Sequence, residues 1–304
     1  MRRGWKNTWI ALLAGVLLAP GCAVRQREAI PPAALAPDWK TATLTQLVEQ
    51  VRDQQEAIES FQATVDIEPT VTKVEEGEVL HYRDVRAFIL IRRPAMLRMI
   101  GLYPVARTTA FDMSSDGKEF GLYVPSRNRF YVGNSREVKR SNEDDPSRSS
   151  LENLRPQHIL DALLWEAPEP ETEQAVLEVR NEGLSSYYIV HVLRSGREGD
   201  LVLARNLWFE RRNLSLQRLQ IFDPTGEEVT NARYLDYGEF GGISYPKKIT
   251  IDRPKDRYGL SLTVTKLEFN LPLGDEKFVL EQPPGTELRD LEKPSAAEQV
   301  KRVG

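Results

Sequence analysis

The chain has 304 residues, 40% hydrophobic and 28% charged, with a formal net charge of −4. That acidic balance argues against a nucleic-acid partner, whose binders concentrate positive charge. The length permits one or two domains, no internal repeat stands out, and a single cysteine, Cys22, excludes an internal disulfide.

Arg2, Arg3 and Lys6 open the chain, an apolar run follows from Trp9 to Leu18, and small residues lead to Cys22. This is the three-part layout of a secretory signal. The apolar run is about half of the roughly 20 residues that a spanning helix needs. The stretch Leu18-Ala19-Pro20-Gly21-Cys22 resembles the lipobox of bacterial lipoproteins, with Leu18 one step early and Gly21 and Cys22 in place. The resemblance implies removal of residues 1–21 and acylation of Cys22, so that the protein meets the membrane through an N-terminal lipid. Ala23 stands where related systems carry an inner-membrane retention Asp, which points to the cell outer membrane, facing the periplasm. The plainer alternative is an ordinary signal with an incidental cysteine. Residues 22–40 hold Pro31, Pro32 and Pro37 and read as a tether, although Trp39 suits packing of its last residues on the domain.

Thr43 to Ser60 is the first predicted helix. Thr43 and Gln46 form a capping-box pattern, and Leu44, Leu47, Val48, Val51 and Ile58 share one face. From Phe61 to Ile67 the period becomes 2, the mark of a strand with one wet face. Strands follow at Val79–Arg92, Met96–Tyr103, Thr108–Ser114, Glu119–Val124 and Arg129–Val132. Asp116-Gly117 is a hairpin turn, because Gly accepts positive φ without strain. Residues 134–150 are charged and read as a loop. A second helix is expected over Pro156–Trp165, with Ile159, Leu160, Leu163 and Leu164 as its apolar side. Seven more strands run from Ala175 to Phe269 with short connections, so an antiparallel meander is expected. The stretch beyond Pro283 reads as a polar tail.

Several strands are apolar on both faces. Val85, Ala87, Ile89 and Ile91 oppose Phe88 and Leu90, while Leu97 and Met99 oppose Met96, Ile100 and Leu102. Such strands must be covered on both sides, and two short helices cannot cover both faces of about a dozen strands. A closed barrel, a sandwich, or a curved sheet around an apolar ligand would each answer this. Periodicity does not choose among them.

The run Phe88–Val132 is more specific. It holds a strand ending in Arg-Pro, an apolar strand, a Pro-containing turn, a Ser-Asp-Gly-Lys hairpin and a Tyr-x-Pro. This resembles the LolA and LolB families of lipoprotein carriers and receptors, and the element order from about 40 to 270 is similar. The resemblance implies an α+β, mostly antiparallel β fold over residues 41–283: a strongly curved half-barrel sheet with helices as lid. Residues 284–304 are the polar tail. It implies that Arg93 hydrogen-bonds the lid helix and that Val105 is an exposed, membrane-facing loop residue. An apolar groove lined by Phe88, Leu90, Leu97, Met99, Leu160 and Leu164 would hold acyl chains of lipoproteins or other envelope lipids.

Catalytic patterns are missing from the sequence. His81, His158 and His191 are far apart and lack metal-ligand spacing, and Glu143-Asp144-Asp145 lacks the glycine and spaced ligands of a calcium loop. No cofactor and no enzyme activity are expected. The leading expectation is a lipid-anchored periplasmic binding protein whose groove is completed by a guest's hydrocarbon. The alternative is an envelope sensor or scaffold using the same fold to bind a protein partner.

Overall fold

In the computed structural model, residues 38–73, 78–81, 84–136, 153–196 and 199–293 are described. The signal, Cys22, most of the tether and the acidic run at 143–145 lie outside them. None of the described helices is long and apolar enough to cross a membrane.

Helix α1 spans Leu44–Ala57 and opens with the expected capping box: the Thr43 side chain accepts from the Gln46 amide while Gln46 reaches back to the Thr43 amide. Leu47 and Val51 are its buried residues. Strands β1 (Ser60–Lys73), β2 (Glu78–His81), β3 (Val85–Arg92), β4 (Met96–Leu102), β5 (Thr109–Ser115), β6 (Glu119–Val124) and β7 (Arg129–Asn134) precede helix α2 (Pro156–Leu163). After it come β8 (Glu173–Glu182), β9 (Ser185–Ser195), β10 (Leu201–Glu210), β11 (Leu216–Phe222), β12 (Glu228–Phe240), β13 (Ile243–Arg253), β14 (Tyr258–Phe269) and β15 (Glu287–Asp290).

The strands form one open, curled sheet in the order β15-β7-β6-β5-β4-β3-β1-β14-β13-β12-β11-β10-β9-β8, with β2 paired to β1. Two meanders, β3 to β7 and β8 to β14, meet at β1, which pairs antiparallel with both β3 and β14. The pairing is antiparallel throughout except at β15, which lies parallel to β7. Register places one apolar row after another on the inner face. Ala63 lies between Ile89 and Leu267, and Val65 lies between Ala87 and Val264. At the β5–β6 hairpin, Gly117 has a φ of +91°, and a Cβ there would strike Ala95.

Two elements differ from the pattern read in the sequence. The stretch read as one strand, Val79–Arg92, is the two strands β2 and β3. The stretch read as a polar tail contains β15, and the chain leading to it crosses the sheet. In that crossing segment Arg92 donates to the Leu273 carbonyl (2.6 Å) and pairs with Asp275. Arg98 donates to the Val279 carbonyl and Ser114 to the Phe278 carbonyl. Phe278 is buried beneath the Arg92 guanidinium, 5.3 Å from its ring centre.

Candidate functional site

The inner face of the sheet is occupied by α2. Pro156, His158, Ile159, Leu160, Ala162 and Leu163 are buried, while Gln157 and Asp161, one turn apart, pair with each other (2.5 Å). Leu164 and Trp165 continue the plug, with Trp165 stacked on Tyr245 (5.9 Å, 10°) and edge-on to Tyr234 (4.9 Å). Phe61 and Phe269 extend the aromatic wall around Tyr245. The expectation that a guest's hydrocarbon completes the interior is therefore corrected. In this form the chain's own helix fills it, because Ile159, Leu160, Leu163, Leu164 and Trp165 are buried in the core that the sheet curls around.

The helix is held at three places. At its C-terminal end, carbonyls without intrahelical partners need donors. Leu164 N–H supplies the one to Leu160 (2.8 Å). Tyr234 Oη donates to the Ala162 carbonyl (2.9 Å) and Tyr245 Oη to the Leu163 carbonyl (2.7 Å). At its N-terminal end, His158 enters a buried polar row. Its Nδ1 lies 2.8 Å from Tyr258 Oη and its Nε2 lies 3.0 Å from Arg253 Nη2. A guanidinium can only donate, so Nε2 accepts and Nδ1 carries the proton. Arg253 is in turn held by Asp256 (2.8 Å) and Thr230 (2.5 Å). Burial, with Arg253 and Arg155 nearby, holds the His158 imidazole neutral, well below its ordinary pKa. Burial also pushes the Asp161 carboxyl up to about 6.

The third hold is the exit from the helix. Gln55 accepts from the Ala167 amide (2.8 Å), Arg205 donates to the Ala167 carbonyl (3.3 Å), and Arg52 reaches the Pro168 carbonyl (3.5 Å). Arg93, joined to Pro94 by a cis peptide bond, donates to the Ile58 carbonyl (2.9 Å) and the Trp165 carbonyl (3.5 Å). It thus ties the ends of both helices together, just beyond the body of α2. Burial lowers its pKa, with Glu166 acting in the opposite direction.

The structure separates the six groove residues. Leu97, Met99, Leu160 and Leu164 are buried in the inner core. Phe88 and Leu90 alternate out of phase with Ala87, Ile89 and Ile91, so they lie on the outer face, where Phe88 is 44% exposed. They cannot line the same surface as Leu97 and Met99, which stand opposite Ile91 and Ile89. Val105 sits in the β4–β5 connection and is 98% exposed. His191 is paired on both ring nitrogens, to Asn206 (2.7 Å) and Glu178 (2.8 Å). Among the described residues no three His, Cys, Asp or Glu side chains group as metal ligands. A cavity of about 520 Å³ lies between β5–β7 and the C-terminal segment. Asp116, Glu119, Asp290 and Glu292 are among its lining residues, which makes it unsuited to hydrocarbon.

Tyr234, Tyr245, Arg253 and Tyr258 were not singled out in the sequence. Their alternation with aliphatic residues marks them as inward-facing, but the carbonyls and the imidazole they meet belong to a helix some 70 to 100 residues away.

No family model matches the chain, and no curated protein matches it. Solved structures do. The chain is similar to a LolA superfamily protein from Nitrosomonas europaea, at 14% identity and a TM-score of 0.49, over 79% of this chain and 99% of that one. A DUF1329 family protein from Desulfovibrio piger is similar at 14% identity and a TM-score of 0.47, over 77% and 94%. A domain described as that of an outer membrane lipoprotein-sorting protein, from Vibrio parahaemolyticus, is similar at 12% identity and a TM-score of 0.47, over 76% and 94%. At these identities and scores, function has to be read from the geometry of the chain itself.

Proposed function

We propose that this is an envelope acyl-lipid or lipoprotein-binding protein in its closed form, and that α2 occupies the space acyl chains take when it swings out. The observation that carries this reading is the division of labour around α2. Its exit, Trp165–Pro168, is tied to α1, β10 and the β3–β4 turn, whereas its body meets the sheet through apolar side chains and through polar contacts confined to its two ends, His158 with Tyr258 and Arg253, and the Ala162 and Leu163 carbonyls with Tyr234 and Tyr245. A helix satisfies its own backbone, so it can leave an apolar cradle as a body and pivot on the anchored exit.

Magnitudes fit a reversible exchange. Burying Ile159, Leu160, Leu163 and Leu164 is worth about 6–12 kcal/mol gross, at about 1.5–3 kcal/mol for each side chain. One acyl chain of about 14 methylenes, at about 0.8 kcal/mol each, offers about 11 kcal/mol. For one chain the two are of similar size, so a single chain can be taken up and released, and a second chain shifts the balance toward the bound form. In this reading Arg93 sets how firmly the exit is held, Val105 is a contact toward lipid, and Cys22 carries the anchor at the outer membrane.

The test uses the full chain carrying Cys22→Ser, so that its own lipid does not interfere. Native mass spectrometry is expected to find co-purified acyl lipid, and a fluorescent fatty acid to be taken up. Absence of both would remove the carrier reading. The filled interior favours a second reading, a scaffold that binds a protein partner. Its mark is a stable crosslinked envelope complex with no lipid exchange.

A further inference from the structure

We infer that the inner site recognises the paired acyl carbonyls at the head of a diacyl lipid, through the phenols of Tyr234 and Tyr245. This rests on the reading of α2 as a displaceable occupant and names the class of guest.

Both phenols are fully buried, on neighbouring strands, in a wall that is otherwise aliphatic and aromatic. Each donates to a single acceptor, and the two acceptors are consecutive carbonyls, Ala162 and Leu163, so the hydroxyls converge on one spot. Burial raises the pKa of both, which keeps them neutral donors at any pH the envelope meets. Beside them the Trp165 indole nitrogen is buried with no acceptor in sound geometry, although it lies close enough to act on the Tyr234 phenol. The spot is therefore rich in donors, and its acceptors come from α2.

When α2 leaves, both acceptors leave with it. Buried donors without partners are unfavourable, and a plain hydrocarbon leaves two of them. A guest with two neutral carbonyls a few bonds apart, each bearing a chain, replaces the lost acceptors one for one. An ionised fatty acid fits less well, because it brings a full charge into an apolar wall. Ester carbonyls of this kind occur in a phospholipid and in the diacylglyceryl group of a lipoprotein, and the tyrosines meet the same chemistry in both.

The experiment measures affinity of the full chain carrying Cys22→Ser for dioleoyl phosphatidylglycerol, for its dialkyl-ether analogue, and for a synthetic peptide bearing S-diacylglyceryl cysteine. The ether analogue keeps the chains and lacks the carbonyls. Both lipids need the same opening, so their affinity ratio does not depend on how firmly α2 is seated. The expected ratio favours the diester by about tenfold or more, and Tyr234→Phe with Tyr245→Phe brings it to about one while both lipids still bind. Each single variant should fall between, and these decide the matter if the double variant does not fold. Equal binding of phosphatidylglycerol and the peptide supports recognition of the carbonyl pair alone, and a preference for the peptide supports a lipoprotein source. A wild-type ratio of about one, with both lipids bound, overturns the inference and leaves the proposed function standing. No binding of any probe overturns both.

Discussion

On the inner face, α2 makes its own backbone hydrogen bonds and takes partners from the sheet only near its ends. On the outer face, the Leu271–Leu291 segment has little regular structure and relies on strand side chains for its carbonyls: Arg92 for Leu273, Arg98 for Val279, Ser114 for Phe278. Both covers bury apolar side chains, yet they differ in what removal leaves behind. Withdrawing the outer segment would leave the buried Ser114 hydroxyl and Arg92 without these partners, together with backbone carbonyls that no helix satisfies, whereas Arg98 would keep Asp112. Withdrawing α2 takes His158 with it and leaves the phenols of Tyr234, Tyr245 and Tyr258 and one Arg253 nitrogen without these partners, while the helix keeps its own backbone bonds. On the proposed reading the outer cover stays with the fold and the inner one exchanges, because only α2 carries its backbone bonds with it.

That contrast can be broken by mutation. Phe278→Ala empties a buried site in the permanent cover and is expected to cost about 3–5 kcal/mol, read as a lower urea midpoint, with lipid affinity unchanged. Leu160→Ala removes a buried side chain from the exchangeable cover and should cost about 2–4 kcal/mol. Here, though, lipid affinity should rise, since the guest competes with a weaker occupant. A fall in affinity, or a rise shared with Phe278→Ala, would erase the distinction. Arg93→Leu loses hydrogen bonds to two backbone carbonyls, with an expected cost of about 1–2 kcal/mol and faster lipid on- and off-rates. Unchanged rates would take Arg93 out of the site.

The smallest expected effect is in pH dependence. His158 is held neutral well below 6.5, so the unfolded chain binds a proton that the fold refuses. Its contribution to stability therefore falls as pH drops below about 6.5. Asp161 acts the other way. Its carboxyl, pushed up to about 6, takes a proton in the fold before the unfolded chain does, so stability rises as pH falls from about 6 toward 4. His158→Gln keeps an acceptor for Arg253 and a donor for Tyr258 but removes the first slope. Thermal melts from pH 7 to 4 should show the variant gaining on the wild type with acidification. Parallel curves would show that the imidazole is not held neutral.

Much of the β framework was legible because alternation survives in single strands. Phe61–Ile67 reads as a strand with one wet face and is one, with Phe61, Ala63, Val65 and Ile67 buried. The Thr43–Gln46 box and the Asp116-Gly117 turn were legible because each is a local device whose partners lie within a few residues. Doubly apolar strands were recognised, but what covers them was not. Gly274, Pro283 and Pro284 make the C-terminal stretch look like a tail, and nothing local announces that Phe278 has a seat beneath Arg92. Phe88 and Leu97 were grouped on one groove for a related reason: each strand's faces can be read alone, but matching faces across strands needs register. The tyrosines that cap α2 escaped notice because an inward tyrosine reads the same whether it fills a core or ends a helix.

The most direct test of the exchangeable cover is hydrogen exchange of the full chain carrying Cys22→Ser, with and without dioleoyl phosphatidylglycerol under conditions where binding is saturated. With lipid bound, amides of residues 159–164 are expected to lose protection, while those of 287–291 keep theirs. Undiminished protection of α2 in the lipid-bound protein would contradict this.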